Sequence, residues 1–338
     1  MDLIAPTDRG LYCEPGDFYI DPWRSVPRAV ITHAHADHAR VGSDLYICHA
    51  DTAPILRKRL GDVAVETVAY GETLKRDGVA LSLHPAGHVL GSAQARVERQ
   101  GDVWVASGDY KLEDDGVSAP FEAVRCRVFI TESTFGLPIY RWRPQSEIFG
   151  NVNDWWRDNA AAGRASVIYG YSLGKAQRIL AHLDASIGPI FSHGAVEPIN
   201  ALYRAAGVAL PDTRPVAEST SKASFAKALV IAPPSAAGSP WLRRFGDYSD
   251  ALASGWMRVR GNRRRRGLDR GFVLSDHADW PGLLSAIAAT GAERVYATHG
   301  SVGTLTHYLR DRGLDARPLE TAYGDDETSG EIAPETVA

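Results

Sequence analysis

The feature that most restricts the fold is a short β-branched run, Val30, Ile31 and Thr32, followed directly by His33, His35, Asp37 and His38 with only alanines between them. The run reads as a buried strand. Behind it stand three histidines and one aspartate within six residues. Neutral imidazoles and carboxylates are the donors that hold zinc and similar divalent ions. Alanine spacers let the backbone turn tightly enough for alternate side chains to converge, so a metal site is expected here rather than a solvated polar loop.

The same arrangement recurs along the chain. Val79–Leu83 leads to Gly87 and His88, Val103–Ala106 to Gly108 and Asp109, and Val128–Ile130 to Glu132. Gly271–Leu274 leads to Ser275, Asp276 and His277, and Arg294–Ala297 to His299 and Gly300. Ends of neighbouring strands lie close together in a sheet, and α/β-type proteins place their sites at such edges. Six of the eleven histidines (33, 35, 38, 88, 277 and 299) fall in these positions. The other five, His49, His84, His182, His193 and His307, read as ordinary core or surface residues. Any one of the later residues could be a cap or a turn; together they supply what a two-metal site needs.

Composition narrows the class. At roughly 150 residues per domain, 338 residues suggest about two domains. With 44% hydrophobic and 23% charged residues, the chain has ordinary globular usage. No apolar stretch approaches the roughly 18 residues of a membrane span, and no signal-like segment opens the sequence, so no membrane association is expected. Cys13, Cys48 and Cys126 have no CxxC spacing, which argues against a disulfide framework or a cysteine zinc site and for a reducing, cytoplasmic setting. Lys+Arg 37 against Asp+Glu 41 gives a net charge of −4, which excludes nucleic-acid binding by bulk charge but not by a local basic groove.

Taken together, His33-Ala-His35-Ala-Asp37-His38, Gly87-His88 and Gly108-Asp109 resemble the metallo-β-lactamase signature. Glu132 in Thr-Glu-Ser-Thr-Phe-Gly, His277 in Ser-Asp-His-Ala and His299 in Thr-His-Gly resemble the extra motifs of its β-CASP branch, which contains nucleases. Residues 10–23 and 170–177 are similar to those of bacterial ligase-associated DNA exonucleases, in order and along nearly the whole chain. The resemblance implies an α+β fold: a four-layer αββα metallo-β-lactamase sandwich with an inserted β-CASP cap. Residues 1–142 and 271–338 would form the discontinuous catalytic domain and 143–270 the cap. The end of the ligand-bearing loops near Arg143, and the new strand-to-helix unit from Ser166 to Leu183, agree with this.

The resemblance further implies two divalent ions, zinc favoured and manganese the alternative. His33, His35 and His88 would hold one, Asp37, His38 and His299 the other, with Asp109 bridging. Asp21 would brace the histidine loop from behind rather than ligate. Asp37, Glu132 and His277 are the expected catalytic residues, His277 as general acid with Glu132 hydrogen-bonded to it and favouring the protonated ring. Ser172 and Lys175, in the turn entering a helix, are candidates for gripping phosphate. So are Arg263 and Arg264, in the conspicuous basic run between Arg258 and Arg266. Lys175 followed by Ala176 at this glycine spacing is not a P-loop.

The expected activity is hydrolysis of DNA phosphodiester bonds from strand ends, in DNA repair, with a DNA ligase and a helicase as partners by resemblance. The first alternative is a β-CASP ribonuclease that processes RNA, since RNA-cutting members carry histidine where this chain has His299. A small-molecule di-metal hydrolase fits the first motifs but not the long insertion or the Glu132–His277 pair. A non-enzymatic nucleic-acid-binding subunit would be expected to have lost ligands, and none of the matching positions is substituted.

Overall fold

The computed structural model describes residues 2–217, 219–259 and 267–321. These form two compact units, one taking in the described residues up to Arg141 and from His277 to Thr321, the other those between Trp142 and Asp276.

The first unit contains two sheets. One is ordered β1 to β6 in sequence: β1 (Ala5–Pro6), β2 (Leu11–Cys13), β3 (Phe18–Ile20), β4 (Arg28–Val30), β5 (Leu45–Cys48) and β6 (Val65–Thr67). It is antiparallel up to β3 and parallel from there. Helix α1 (Thr52–Leu60) forms the crossover between β5 and β6. The other sheet is built from β7 (Thr73–Arg76), β8 (Val79–Pro85), β9 (Ala93–Arg99), β10 (Asp102–Ala106) and β11 (Val128–Ser133). Two strands from the end of the chain, β18 (Arg294–Gly300) and β19 (Asp315–Pro318), complete it in the order β19-β18-β11-β10-β9-β8-β7.

One buried cluster draws on both sheets: Phe18, Ile20, Val30 and Ile47 from the first meet Leu81, Leu83, Trp104 and Ile130 of the second. Burial of this apolar surface is the main stabilising term, and a Trp104→Ala truncation in it would cost about 3–5 kcal/mol. The second sheet's other face packs on α5 (Trp280–Thr290) and α6 (Val302–Arg310), through Leu283, Ile287, Leu305 and Leu309 against Val105, Phe129 and Val295. Helix α5 starts where the sequence dictates: Asp279 caps it by accepting from the Gly282 N–H at 2.9 Å, Pro281 occupies the first turn, and Gly291 at φ 63° ends it.

Strands β8, β10, β11 and β18 run in the same direction, so their C-terminal ends share one edge of the sheet. That edge carries His88, Asp109, Glu132 and His299.

The second unit holds a parallel sheet ordered β14-β13-β15-β12-β16-β17: β12 (Ala165–Tyr169), β13 (Ile190–Ser192), β14 (Arg214–Pro215), β15 (Leu229–Ala232), β16 (Tyr248–Ala253) and β17 (Arg270–Phe272). Helices α2 (Gln145–Ala161), α3 (Lys175–Ala181) and α4 (Glu197–Ala205) belong to it. Its central strands are buried throughout, as continuous apolar runs in a parallel sheet must be. Trp155 and Trp156 are core residues. Arg270–Phe272 pairs with β16, and the residues grouped with the first unit resume at His277. A short apolar run has the same period whichever sheet receives it, so its partner is a tertiary choice.

Cys13, Cys48 and Cys126 are buried free thiols. No helix among the described residues is long and apolar enough to cross a membrane.

Candidate metal centre

The histidine loop is built on Asp21, just beyond β3. Its Oδ1 accepts from the Thr32 N–H at 2.8 Å, and its Oδ2 accepts from the Thr32 hydroxyl at 2.6 Å. The same Oδ2 lies 2.7 Å from His38 Nδ1. One carboxylate thus fixes both the start of the loop and the ring orientation of its last histidine, and directs His38 Nε2 into the cluster. Asp21 sits at φ 42°, an uncommon conformation for a residue with a side chain.

Around that brace the donor atoms converge. His33 Nε2 lies 3.0 Å from His35 Nδ1, and His88 Nε2 lies 3.1 Å from the same atom. Asp109 Oδ2 is 3.5 Å from His33 Nε2, 3.8 Å from His88 Nε2 and 3.4 Å from His38 Nε2. Asp37 Oδ2 is 3.6 Å from His38 Nε2. Two sets of ligand atoms, one from His33, His35, His88 and Asp109 and the other from His33, Asp37 and His38, each fall within 4.8 Å of one another. Donors about 2.1 Å from a common tetrahedral ion stand about 3.4 Å apart, so these separations suit a small divalent ion. The donor chemistry fits as well, since imidazole with carboxylate serves zinc and neighbouring ions. The cluster could bind metal.

His33, His38, His88 and Asp109 are buried, whereas the Asp37 side chain is 51% exposed and that of His277 23% exposed, so the cluster has an open side. Burial, then the charge of His38, pushes the His33 imidazole well below its ordinary range, leaving it a neutral donor. For His38 burial acts in the same direction, but Asp109, Asp37 and Asp21 outweigh it and hold the ring well above its usual value. Burial would raise the Asp109 carboxyl; the facing His38 and His277 instead hold it well below the usual range. The three carboxylates thus favour a charged ring at His38, and a divalent ion held there would take over that role.

Glu132 lies at the same edge. Its Oε1 accepts from the Tyr110 N–H at 2.7 Å, and its Oε2 accepts from the Thr134 hydroxyl at 2.5 Å and stands 2.9 Å from His277 Nδ1. Asp109 Oδ2 is 4.0 Å from that nitrogen. His299 belongs to neither ligand set; its ring lies nearly parallel to that of His38, 5.3 Å away, and lines a small pocket with His38, Asp21 and Glu132.

Two glycines in these loops are required by space. At Gly87 (φ 75°) a Cβ would sit 2.2 Å from the Lys111 carbonyl oxygen, and at Gly108 (φ 57°) 2.5 Å from Thr32 Oγ1. Any side chain there would separate the His88 and Asp109 loops from their neighbours.

The other expected site residues lie in the second unit. Lys175 and Ser172 are buried, and Lys175 Nζ is 3.7 Å from Asp276 Oδ2. Arg178, also buried, reaches Asp276 Oδ1 at 3.2 Å and the Ser275 carbonyl at 2.5 Å. A lysine enclosed beside a carboxylate presents little free charge to a phosphate, so the turn reads here as part of a buried ionic cluster. Arg263 and Arg264 lie outside the described residues.

Sequence reasoning missed the supporting residues: Thr32, Ser92, Tyr110 and Thr134. Ser92 Oγ accepts from the His88 and Val89 N–H groups at 3.0 and 3.2 Å. For Thr32, Ser92 and Thr134 the available signal was a small hydroxyl residue a few positions from a ligand, which is too common to stand out; Tyr110 acts through its backbone N–H, which side-chain type does not mark.

No protein-family model matches the chain. It is 32% identical over 311 residues to a protein of Opitutus terrae named a probable DNA ligase, covering 91% of this chain and 30% of that one. It is 26% identical over 216 residues to cleavage and polyadenylation specificity factor subunit 3-I of Arabidopsis thaliana, covering 54% and 31%. It is 33% identical over 129 residues to the endoribonuclease ysh-1 of Neurospora crassa, covering 36% and 14%. The chain therefore spans less than a third of the length of each of these relatives. A crystal structure of a protein of unknown function from Enterococcus faecalis superposes with a TM-score of 0.59 at 12% identity, over 87% of this chain and 79% of that one, a likeness of fold alone. With the histidine–aspartate cluster at its shared strand edge and these relatives along its length, these observations support a likeness of the chain to the β-CASP branch of the metallo-β-lactamase superfamily.

Proposed function

We propose that this protein is a metal-dependent nuclease that hydrolyses DNA phosphodiester bonds from strand ends in DNA repair. The observation that carries the reading is the pair of overlapping donor sets sharing His33, with Asp109 close to both. His33, His35 and His88 would hold one divalent ion, Asp37, His38 and His299 the other, and Asp109 would bridge them, with zinc or manganese as the metal. Bound ions would supply a water nucleophile at neutral pH and neutralise charge on the phosphate oxygens. The first unit would be the four-layer sandwich and the second the cap.

The remaining chemistry belongs to the chain. With Nδ1 of His277 held beside Glu132, the ring would give a proton to the leaving oxygen as the P–O bond breaks. Glu132, itself held by Tyr110 and Thr134, keeps that ring in one orientation. Asp21 holds His38 for its ion. The basic run containing Arg263 and Arg264 would track the nucleic-acid backbone.

DNA is favoured because the relative covering 91% of this chain is named a probable DNA ligase. A DNA ligase and a helicase are the proposed partners, in the cytoplasm. The endoribonuclease-named relative and His299 favour the second reading, RNA processing. End-labelled single-stranded DNA and RNA, offered in parallel with and without chelator, test both. DNA shortened from its ends, chelator-sensitive and absent with Asp37→Ala, is the expected result. Preferential cutting of RNA would replace the first reading by the second. Cleavage of a lactam or thioester, with both nucleic acids intact, would overturn both.

A further inference from the structure

In the ladder between β11 and β18, Glu132 pairs with Thr298 but the next pair is Ser133 with Gly300. His299 is the extra residue of a β-bulge. It stands at φ 55°, a strained conformation for a residue with a side chain, which persists only where surroundings hold it. Regular pairing would set His299 opposite Ser133, on the other face from Thr298 and Glu132; a bulge re-aims a side chain.

What holds the bulge is Ser133, which is completely buried. Its hydroxyl is within reach of the His299 carbonyl and, at 3.1 Å, of the Thr298 carbonyl. Its own carbonyl accepts from the Ser301 N–H at 2.9 Å. Gly300, at φ 71°, lets the strands close on it: a Cβ there would lie 2.5 Å from the Ser133 oxygen and 2.6 Å from Thr134 Cα. One serine therefore engages the residues on both sides of the histidine and the histidine itself.

We propose that Ser133 is a positioning residue for His299, locking the bulge that brings the ring beside His38 and so completing one of two ion sites. The consequence for metal rests on the two-ion reading above; the consequence for backbone geometry does not. Removing the hydroxyl would leave the buried Thr298 carbonyl and the part-buried His299 carbonyl without that donor and release His299 from its left-handed conformation. The site built on His33, His35 and His88 is braced separately and would be untouched.

The test is Ser133→Ala in the full chain, read by crystal structure and by titration of metal-free protein with zinc or manganese. The expected result is that His299 leaves positive φ and its ring leaves the His38 stack. One equivalent should bind as in the parent and the second roughly 10–100-fold more weakly, as when a residue supporting a ligand is lost. Should Ser133→Ala not fold, Ser133→Cys, similar in size but a weaker donor, carries the same readouts. A variant with His299 unmoved, or with both equivalents bound as in the parent, overturns the inference. A parent that binds fewer than two equivalents overturns the two-ion reading instead, and the crystal structure alone then decides the role of Ser133 in the bulge.

Discussion

Two buried clusters of charged and polar residues, one in each unit, look alike in sequence and differ in what they leave available. In the second unit Asp276 lies between two cations, Lys175 and Arg178, and Arg178 also reaches the Ser275 carbonyl and Gln145 Oε1 at 3.0 Å. Donors there face acceptors. In the first unit acceptors face acceptors: Asp109, Asp37 and the imidazole nitrogens of His33, His35, His38 and His88 point at common positions. The carboxylates of Asp109, Asp37 and Asp21 hold His38 above its ordinary range against the effect of burial. A cluster that closes its own charge is a structural element; one that gathers lone pairs invites a cation.

The comparison can be broken in several places. The largest effect is expected from Asp109→Ala, which removes the carboxylate near both donor sets. Turnover should vanish and bound metal, measured by elemental analysis, should fall by at least one equivalent. An active variant with full metal would remove Asp109 from the centre. His277→Gln should lower kcat by roughly 10²–10⁴-fold, the range for a lost general acid, with metal content unchanged. Loss of folded protein instead would make the Glu132–His277 pair a structural tie.

Arg178→Ala, in the self-satisfied cluster, should leave metal content at the parent level but lower stability by about 3–5 kcal/mol, as when one partner of a buried ion pair is removed. Urea unfolding checks it. A raised KM with unchanged stability would mean that this cluster serves substrate. The smallest effect is expected for Asp21→Asn, which keeps the shape of the brace but weakens it. Metal affinity should drop roughly 10–100-fold while the unfolding midpoint moves little.

Several site features were legible in the residues before any folding. The donor types, the alanine spacing after Val30–Thr32, and ligand-type residues at strand ends are local, and β8, β10, β11 and β18 end close to where apolar runs give way to polar and ligand-type residues. Lys175 shows where local reading stops. Gly170-Tyr-Ser-Leu-Gly-Lys looks like a phosphate grip, and what gives Lys175 its structural role is Asp276, distant in sequence. His299 shows the same limit more finely, because its neighbours suggest a strand end and only the cross-strand register makes it a bulge.

The sequence alone determined which atoms are available for chemistry, because donor type and strand-or-loop preference are properties of a residue and its near neighbours. Tertiary structure decided which atoms share a centre, which charges cancel and which strand receives Arg270–Phe272, because those depend on contacts between residues far apart in the chain. Distances of a few ångströms separate a salt bridge from a metal site, and only the packed fold sets them.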